Sequence, residues 1–245
     1  MLTLTVPNSA HEVYSYTGRV LFEEILGISV SVRSHDLDIV LVSNSKDDKV
    51  IQLNAEFAGL VRFKWGNERS MPKIPLKWVE LPAGVSLPDE RVRFMPVIYG
   101  IPELRCDEKR AVCGIDILGS CFFMLSRYEE FCRDHTDAHG RFPTAEMLAV
   151  RENFITRPIV NEYAELLWYL IRSYWPKTYR NTRSYRFLLS CDVDHETDPS
   201  IELFQRILRR FISRILVNRN IPLAFSDLSI YLKKKIGFPC RDNYQ

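Results

Sequence analysis

The sequence lacks the short motifs that mark several large enzyme classes. It contains no Gly-x-Ser-x-Gly nucleophile elbow, no Walker phosphate loop and no glycine fingerprint for dinucleotides. Serine-hydrolase and nucleotide-driven chemistries are therefore not expected. Internal repeats and low-complexity tracts are also missing, so we expect the 245 residues to form one large or two ordinary globular domains.

The chain has neither a strong excess of charge nor a long apolar run. Its 33 Lys and Arg residues nearly balance 31 Asp and Glu residues, so the net charge of +2 gives no general attraction to nucleic acid. The most apolar stretch, residues 111–125, is interrupted by Asp116 and is short for a membrane span. We therefore predict no nucleic-acid partner and no transmembrane segment.

The six cysteines are widely spaced, and no Cys-x-x-Cys pair occurs among them. No secretory leader is recognised ahead of them. This usage is typical of reduced thiols rather than of a disulfide framework, and it favours a cytoplasmic protein.

Short β-branched stretches predict an early hairpin. Residues 37–43 and 49–54 are rich in Val, Ile and Leu, and they flank a turn-forming pentapeptide. Before them, clustered apolar side chains over residues 14–27 predict a helix that Gly27 ends.

The region after the hairpin is rich in proline. Prolines interrupt residues 57–100 repeatedly, so this region is predicted to be mostly loop. Short strands are compatible with residues 60–65 and 92–99.

Four further segments repeat apolar side chains at three- and four-residue steps, as amphipathic helices do. They are residues 116–132, 161–175, 200–217 and 227–237. Asp116 lies at or beside the start of the first, where a carboxylate can accept hydrogen bonds from unpaired backbone N–H groups. Pro176 ends the second, and the basic and polar residues 177–184 that follow predict a linker between domains.

An apolar run that ends in carboxylates follows this linker. Residues 185–191 predict a buried strand, and Asp192 and Asp194 come at its carboxyl end. Because side chains alternate along a strand, both carboxylates are expected on one side of it. Such a pair can hold a divalent cation, or one acid can bind the metal while the other takes a proton from a metal-activated water. Alternatively, the two acids only cap a turn or the next helix.

A second polar cluster contains His135 and His139, four residues apart and preceded by Glu129 and Glu130. On a helix this spacing would place both imidazoles on one face for a metal. The surrounding residues are turn formers, so we expect the histidines in a loop without that geometry. The two glutamates are expected at the solvated edge of a helix or in ion pairs with nearby arginines.

From about residue 96 onward, a series of segments resembles bacterial polysaccharide deacetylase-like proteins that carry an uncharacterised domain ahead of the catalytic one. The segments are residues 96–100, 115–117, 122–131, 139–143, 157–163 and 189–195. The resemblance implies an α/β protein with a mixed α/β N-terminal domain over residues 1–180. The first strand and helices of an incomplete deacetylase-type (β/α) barrel would follow over residues 185–245.

The same resemblance implies metal-dependent hydrolysis of acetyl groups on a carbohydrate, a polysaccharide or a lipid-linked sugar. Asp192 would be the general base and Asp194 a metal ligand, and zinc is the expected metal. The family's remaining histidine ligands come from a later segment, whereas only 53 residues follow Asp192. A closed barrel needs about 200 residues. We therefore expect this chain to be inactive alone and to bind metal weakly, with self-association through the C-terminal region as one way to cover its apolar residues.

Two other functions fit the same residues. In the second interpretation, the chain is a non-catalytic carbohydrate-binding or assembly module in surface-polysaccharide metabolism. Its four tryptophans permit the stacking of sugar rings. They are Trp65, Trp78, Trp168 and Trp175. In the third interpretation, Asp192 and Asp194 belong to the metal-diphosphate motif of a sugar-nucleotide transferase. The surrounding segments favour the deacetylase-like interpretation over the transferase.

Overall fold

The computed structural model describes residues 1–62, 65–89, 91–133, 135–181, 186–190, 192 and 204–237. Contacts divide the chain into two units, residues 1–183 and residues 184–245. The first unit combines a mixed sheet with helices, which confirms the α/β class and the mixed α/β nature of the N-terminal region.

The strands of the described residues all lie in the first unit. They are β1 Leu2–Pro7, β2 Val30–His35, β3 Ile39–Asn44, β4 Val50–Asn54, β5 Lys77–Glu80, β6 Phe94–Val97, β7 Gly100–Cys106 and β8 Arg110–Ile115. The main sheet has the order β2–β1–β3–β4–β8–β7, and β5 and β6 form a separate antiparallel pair. In the main sheet, β1 pairs in parallel with β2 and β4 with β8, and the other neighbours are antiparallel.

The pairing of β3 with β4 confirms the predicted hairpin. Strand β2, directly ahead of the hairpin, was not predicted, and neither was β1. The side chains of β1 alternate, with Leu2, Leu4 and Val6 buried and the two intervening threonines partly exposed, as expected of a strand that has one face on the core. No closed barrel is found in the described part of the chain, so the predicted barrel portion of the fold is not confirmed.

The helices of the described residues cover one another and the sheet. They are α1 His11–Arg19, α2 Glu56–Val61, α3 Ile117–Leu125, α4 Tyr128–Phe131, α5 Leu148–Arg151, α6 Ile159–Tyr174, α7 Phe204–Leu216 and α8 Ile221–Lys235. In the first unit, α3 packs against both α1 and α6, while α1 contacts β1 and α6 contacts β4. The main core therefore lies between the sheet and these three helices.

Two predicted helices are confirmed. The first, α1, continues through a π-helical turn at Val20–Ile25, and the chain then turns at Gly27, whose φ of +67° suits a residue without a Cβ. The second is α6, which ends just before Trp175 and Pro176.

The prediction of one helix over residues 116–132 is wrong in its length. Helix α3 ends at Leu125, and Arg127 has a left-handed φ of +52°, so the chain restarts as the short α4. The region 57–100 also differs from the prediction. A helix, α2, occupies Glu56–Val61 where loop or strand was expected, although β6 confirms a strand within 92–99.

Asp116 connects three helices through its fully buried carboxylate. Its Oδ1 accepts the N–H of Gly119 at 2.8 Å, which caps α3 as the sequence predicts. Its Oδ2 accepts the hydroxyl of Tyr14 at 2.6 Å and the N–H of Phe57 at 2.9 Å. The Tyr14 oxygen in turn accepts the N–H of Ala58 at 3.1 Å. Two residues remote in sequence thus accept the Phe57 N–H and share the Ala58 N–H with the Ala55 carbonyl.

The second unit contains α7 and α8, joined by four residues. Asp227 on α8 is fully buried, and its Oδ2 lies 3.0 Å from Arg210 Nε and 2.9 Å from Arg214 Nε of α7. The predicted helices over 200–217 and 227–237 are therefore confirmed, with α8 starting six residues earlier than expected.

The predicted buried strand over residues 185–191 is wrong for the part that is described. Residues 186–190 belong to no strand or helix, and the side chains of Phe187, Leu188 and Leu189 are 74–87% exposed. An apolar run forms a strand only if a neighbouring strand or helix accepts its backbone groups and its side chains, and these residues have no such neighbour among the described strands.

We expect Asp116→Ala to lower the free energy of unfolding by about 3 kcal/mol or more. Loss of a helix cap contributes about 1 kcal/mol. The Phe57 N–H and the Tyr14 hydroxyl also lose a buried acceptor, and each unsatisfied group costs about 1–3 kcal/mol. Urea unfolding followed by circular dichroism measures the difference.

The matched control is Asp107→Ala. Asp107 accepts the N–H groups of Lys109 and Arg110 at an exposed turn, so its loss should change stability by about 0.5–1 kcal/mol. If the two variants were equally stable, the central role of Asp116 would be wrong.

Candidate functional site

One cleft of the first unit has a volume of about 930 Å³. Its walls come from the end of β4, from α2, from residues 68–77 and from the start of β7, together with side chains on and after α4. Charged side chains of both signs line it: Asp38, Glu56, Glu68, Glu129 and Glu146, and Arg69, Lys73, Lys77, Arg133 and Arg151. The charged lining of the cleft is therefore balanced in formal charge.

The carboxylates of this cleft hold its walls together. Glu129 Oε2 accepts the N–H of Leu148 at 2.8 Å, and burial raises the pKa of the Glu129 carboxyl. Glu146 receives Arg133 Nη1 at 3.1 Å and lies 2.6 Å from the Nδ1 of His135. These contacts connect the loop after α4 to the segment that begins α5, so they are structural ties.

The imidazoles that the sequence singles out lie in a loop, as predicted. His135 and His139 are both outside any helix. Glu129 and Glu130 lie in α4, and Glu130 pairs with Arg127 while Glu129 caps a backbone N–H. The prediction of ion pairing or a solvated helix edge is confirmed for Glu130. Glu129 is half-buried, and the charges of Arg133 and Arg127 lower the pKa of its carboxyl against the effect of burial, so its role is a local structural one.

Three of the four tryptophan rings are either buried or covered on one face by an arginine. Trp175 is buried, and its indole N–H donates to a carboxylate. The guanidinium of Arg180 lies over the ring of Trp168, 5.2 Å from its centroid. Arg157 lies over Trp78 in the same way at 5.5 Å, and Trp78 is 39% exposed. Trp168 and Trp78 therefore make cation–π contacts within the fold.

Trp65 is different, because its ring is 51% exposed and no cation lies over it among the described residues. Its inner side rests on an aromatic cluster, with ring centroids 5.4–6.5 Å away. The cluster consists of Phe57, Phe122, Tyr128 and Phe131. Tilted and edge-on contacts of this kind fix the orientation of a ring. The outer side of Trp65 is left as a rigid apolar surface.

Trp65 lines a second cleft of about 480 Å³, opposite residues 8–13 at the end of β1 and the start of α1. Four polar residues line this space: Asn8, Ser9, His11 and Glu12. Asn8 Nδ2 donates to Asp36 Oδ1 at 2.6 Å, which fixes the amide and leaves its oxygen as an acceptor. We call this space, bounded by residues 8–13, Val61 and Trp65, the Trp65 cleft.

Helix α2 contributes to both clefts. Glu56, Gly59 and Leu60 line the larger cleft, and Val61 lines the Trp65 cleft. Because Asp116 and Tyr14 hold the first turn of α2, they position both walls. Burial raises the pKa of Asp116 to about 7, although the hydrogen bonds that it accepts oppose this rise.

A family model described as a family of unknown function (DUF7033) matches residues 2–176. The chain belongs to this family. No curated protein and no solved structure matches the chain. Both clefts, and every contact that shapes them, lie within the DUF7033 region.

The resemblance to polysaccharide deacetylase-like proteins is therefore wrong as an identification. The family model that matches is DUF7033, and no deacetylase family does. Five of the six segments that suggested the resemblance lie within residues 2–176. They carry contacts of the DUF7033 fold itself, such as the capping by Asp116 and the pairing of Arg157 with Glu162.

The structure leaves the predicted catalytic pair untested. Asp192 is exposed, and Asp194 lies outside the described residues. General-base and metal-ligand roles for these two residues stay predictions.

Within the described parts of the chain, no group of three or more His, Cys, Asp and Glu side chains is placed to hold a metal. No helix of those parts is long and apolar enough to cross a membrane, and their four cysteines are free.

Sequence reasoning named Trp65 only as one of four tryptophans and missed its polar neighbours. Asn8, His11 and Glu12 follow no spacing motif, and they meet Trp65 only because the turn at Asn8–Ala10 packs against α2. The available signal was the turn-forming Asn8-Ser9 pair between a strand and a helix, which marks a loop where binding residues often lie.

We expect the stability of the protein to fall as the pH rises from about 4 to about 7. The pKa of Asp116 is about 7 in the folded chain and 3.8 as its ordinary value. Between these values the folded chain binds the proton more tightly than the unfolded chain, so raising the pH favours unfolding. Unfolding free energies at pH 5 and pH 8 measure the effect. The loss between these pH values should be smaller in Asp116→Asn, and an equal loss in both proteins would contradict the assignment.

Proposed function

We propose that the DUF7033 region is a carbohydrate-binding domain and that the Trp65 cleft contacts the sugar. The observation that carries this proposal is the exposed ring of Trp65, supported by an aromatic cluster, in a cleft lined by polar residues of which Asn8 and Ser9 are anchored by hydrogen bonds. The proposal needs no metal and no group from residues 193–203.

The chemistry of the cleft suits a sugar ring. One face of a pyranose carries several C–H groups and is apolar, so it can stack on the outer face of Trp65 and remove both surfaces from water. The edges of a sugar carry hydroxyls, which both donate and accept hydrogen bonds. The Asn8 amide oxygen and the Glu12 carboxylate can accept them, and the His11 ring can take either role.

The cleft is held in shape before any ligand binds. Asn8 is tied to Asp36, and the hydroxyl of Ser9 donates to Asp38 Oδ1 at 3.1 Å. Both bonds attach the loop between β1 and α1 to the turn that follows β2. The opposite wall, Trp65, rests on its aromatic cluster. A ligand that meets a preformed surface loses less affinity to the ordering of side chains.

The larger cleft supports this function less well. Tyr99 is the aromatic residue that lines it, and the Tyr99 hydroxyl already donates to the Ser70 carbonyl at 2.7 Å. Its carboxylates serve as ties between walls. A sugar ring would find no comparable free aromatic face there among the described residues.

We expect Trp65→Ala to reduce the affinity for neutral oligosaccharides at least tenfold, equivalent to about 1.4 kcal/mol. Isothermal titration of the full chain with cellotetraose, mannotetraose and the tetramer of N-acetylglucosamine, in buffer with a chelator, tests this. Trp65→Phe should retain part of the affinity because a smaller ring still offers a stacking face.

Trp78→Ala is the matched control, since it removes a half-exposed indole whose ring faces Arg157 instead of a cleft. It should change affinity less than twofold while the variants keep the circular dichroism of the parent. Absence of binding to all three sugars, or equal binding by the Trp65→Ala chain, would refute the proposed function.

A further inference from the structure

Residues 204–237 carry an unusual concentration of positive charge. They contain eight Lys or Arg residues and a single carboxylate, Asp227, which gives a formal net charge of +7, whereas the whole chain has +2. Asp227 is buried between Arg210 and Arg214, so the only negative group of this segment is already compensated inside the hairpin. The exposed charged side chains of residues 204–237 are therefore all cations.

The same segment exposes large apolar side chains in two stripes. On α7 they recur every four residues, which places them on one face of a helix; they are Phe204, Leu208, Ile212 and Leu216. On α8 the stripe consists of Ile221, Phe225, Leu232 and Ile236. The ring of Phe211 on α7 meets that of Phe225 in the α8 stripe edge-on at 5.3 Å.

The packing of the hairpin keeps these stripes outward. The buried contact between α7 and α8 uses Ile207, Ile230 and Tyr231. The ion pairs of Asp227 lie on the same inner side and would be broken by a rotation of α7 about its axis, leaving a buried charge without a partner. The stripes are thus not available to the hairpin's own core.

Charge complementarity identifies the partner. A second copy of the hairpin would bring exposed cations such as Arg209 and Lys233 against the same exposed cations, and this repulsion opposes self-association through the stripes. An anionic lipid surface offers phosphates for the Arg and Lys side chains and acyl chains for the stripes. With 13 and 15 residues, α7 and α8 span about 20 Å each, less than the roughly 30 Å of hydrocarbon in a bilayer. They suit the plane of the interface.

We propose that residues 204–237 bind the surface of an anionic lipid bilayer. The apolar stripes enter the boundary between headgroups and acyl chains, and the flanking cations, including Arg209 and Lys233, lie against lipid phosphates. Since this surface is separate in sequence from the DUF7033 region, the inference is independent of carbohydrate binding.

Vesicle flotation of the full chain tests the inference. Binding should be at least tenfold stronger to vesicles of phosphatidylcholine with 30% phosphatidylglycerol than to phosphatidylcholine alone, and 0.5 M salt should weaken it by screening. Arg209→Glu with Lys233→Glu should reduce binding at least tenfold. Leu208→Ser with Ile212→Ser should do the same by removing the apolar contact.

The matched control is Lys46→Glu with Lys73→Glu, which changes the net charge equally on exposed residues of the first unit. It should bind within twofold of the parent, as should Trp65→Ala, which separates this inference from the proposed carbohydrate site. All variants are first compared by circular dichroism and melting. Equal binding to neutral and anionic vesicles, no binding to either, or a stable dimer that Leu208→Ser with Ile212→Ser converts to a monomer would overturn the inference.

Discussion

The first unit depends on one buried carboxylate. Asp116 lies at the end of β8, yet its two oxygens serve α1, α2 and α3 together. Helix α2 begins after Ala55, which has no side chain able to cap it, so its first N–H groups rely on Asp116 and Tyr14. A short helix of six residues would be marginal by itself. Its position, and with it one wall of each cleft, is set by residues more than 40 positions away.

The elements that the sequence predicts correctly are those whose signals are local. The hairpin of β3 and β4, the turn at Gly27 and the apolar periodicity of α6 are all legible in short windows. The elements that sequence reasoning misses depend on distant partners. Helix α2 has no local cap, and β8 is merged with α3 in one apolar stretch because both are buried. The apolar run at 186–190 shows the reverse error, since strand propensity without a pairing partner gives no strand.

In the candidate site, too, local signals are visible in the sequence and contacts between distant residues are not. Composition reveals four tryptophans, but only the fold shows that guanidinium groups cover Trp78 and Trp168 and that Trp175 is buried. Trp65 remains as the open ring. The polar side chains across from Trp65 come from residues 8–12, which lie about 50 positions earlier in the chain. In contrast, the cationic and apolar pattern of α7 is readable directly, because a helix places its own residues at known angles.

The parallel pairing of β4 with β8 has a consequence for the order of folding during synthesis. Strands β1, β2 and β3 can pair once the first 44 residues have left the ribosome. The outer edge of β4, however, stays without its neighbour until residues 110–115 emerge, and the carboxylate that secures α2 arrives one residue later. A nascent chain therefore passes through a stage with a finished hairpin and an open strand edge, the surface on which chaperones act and on which misassembly begins.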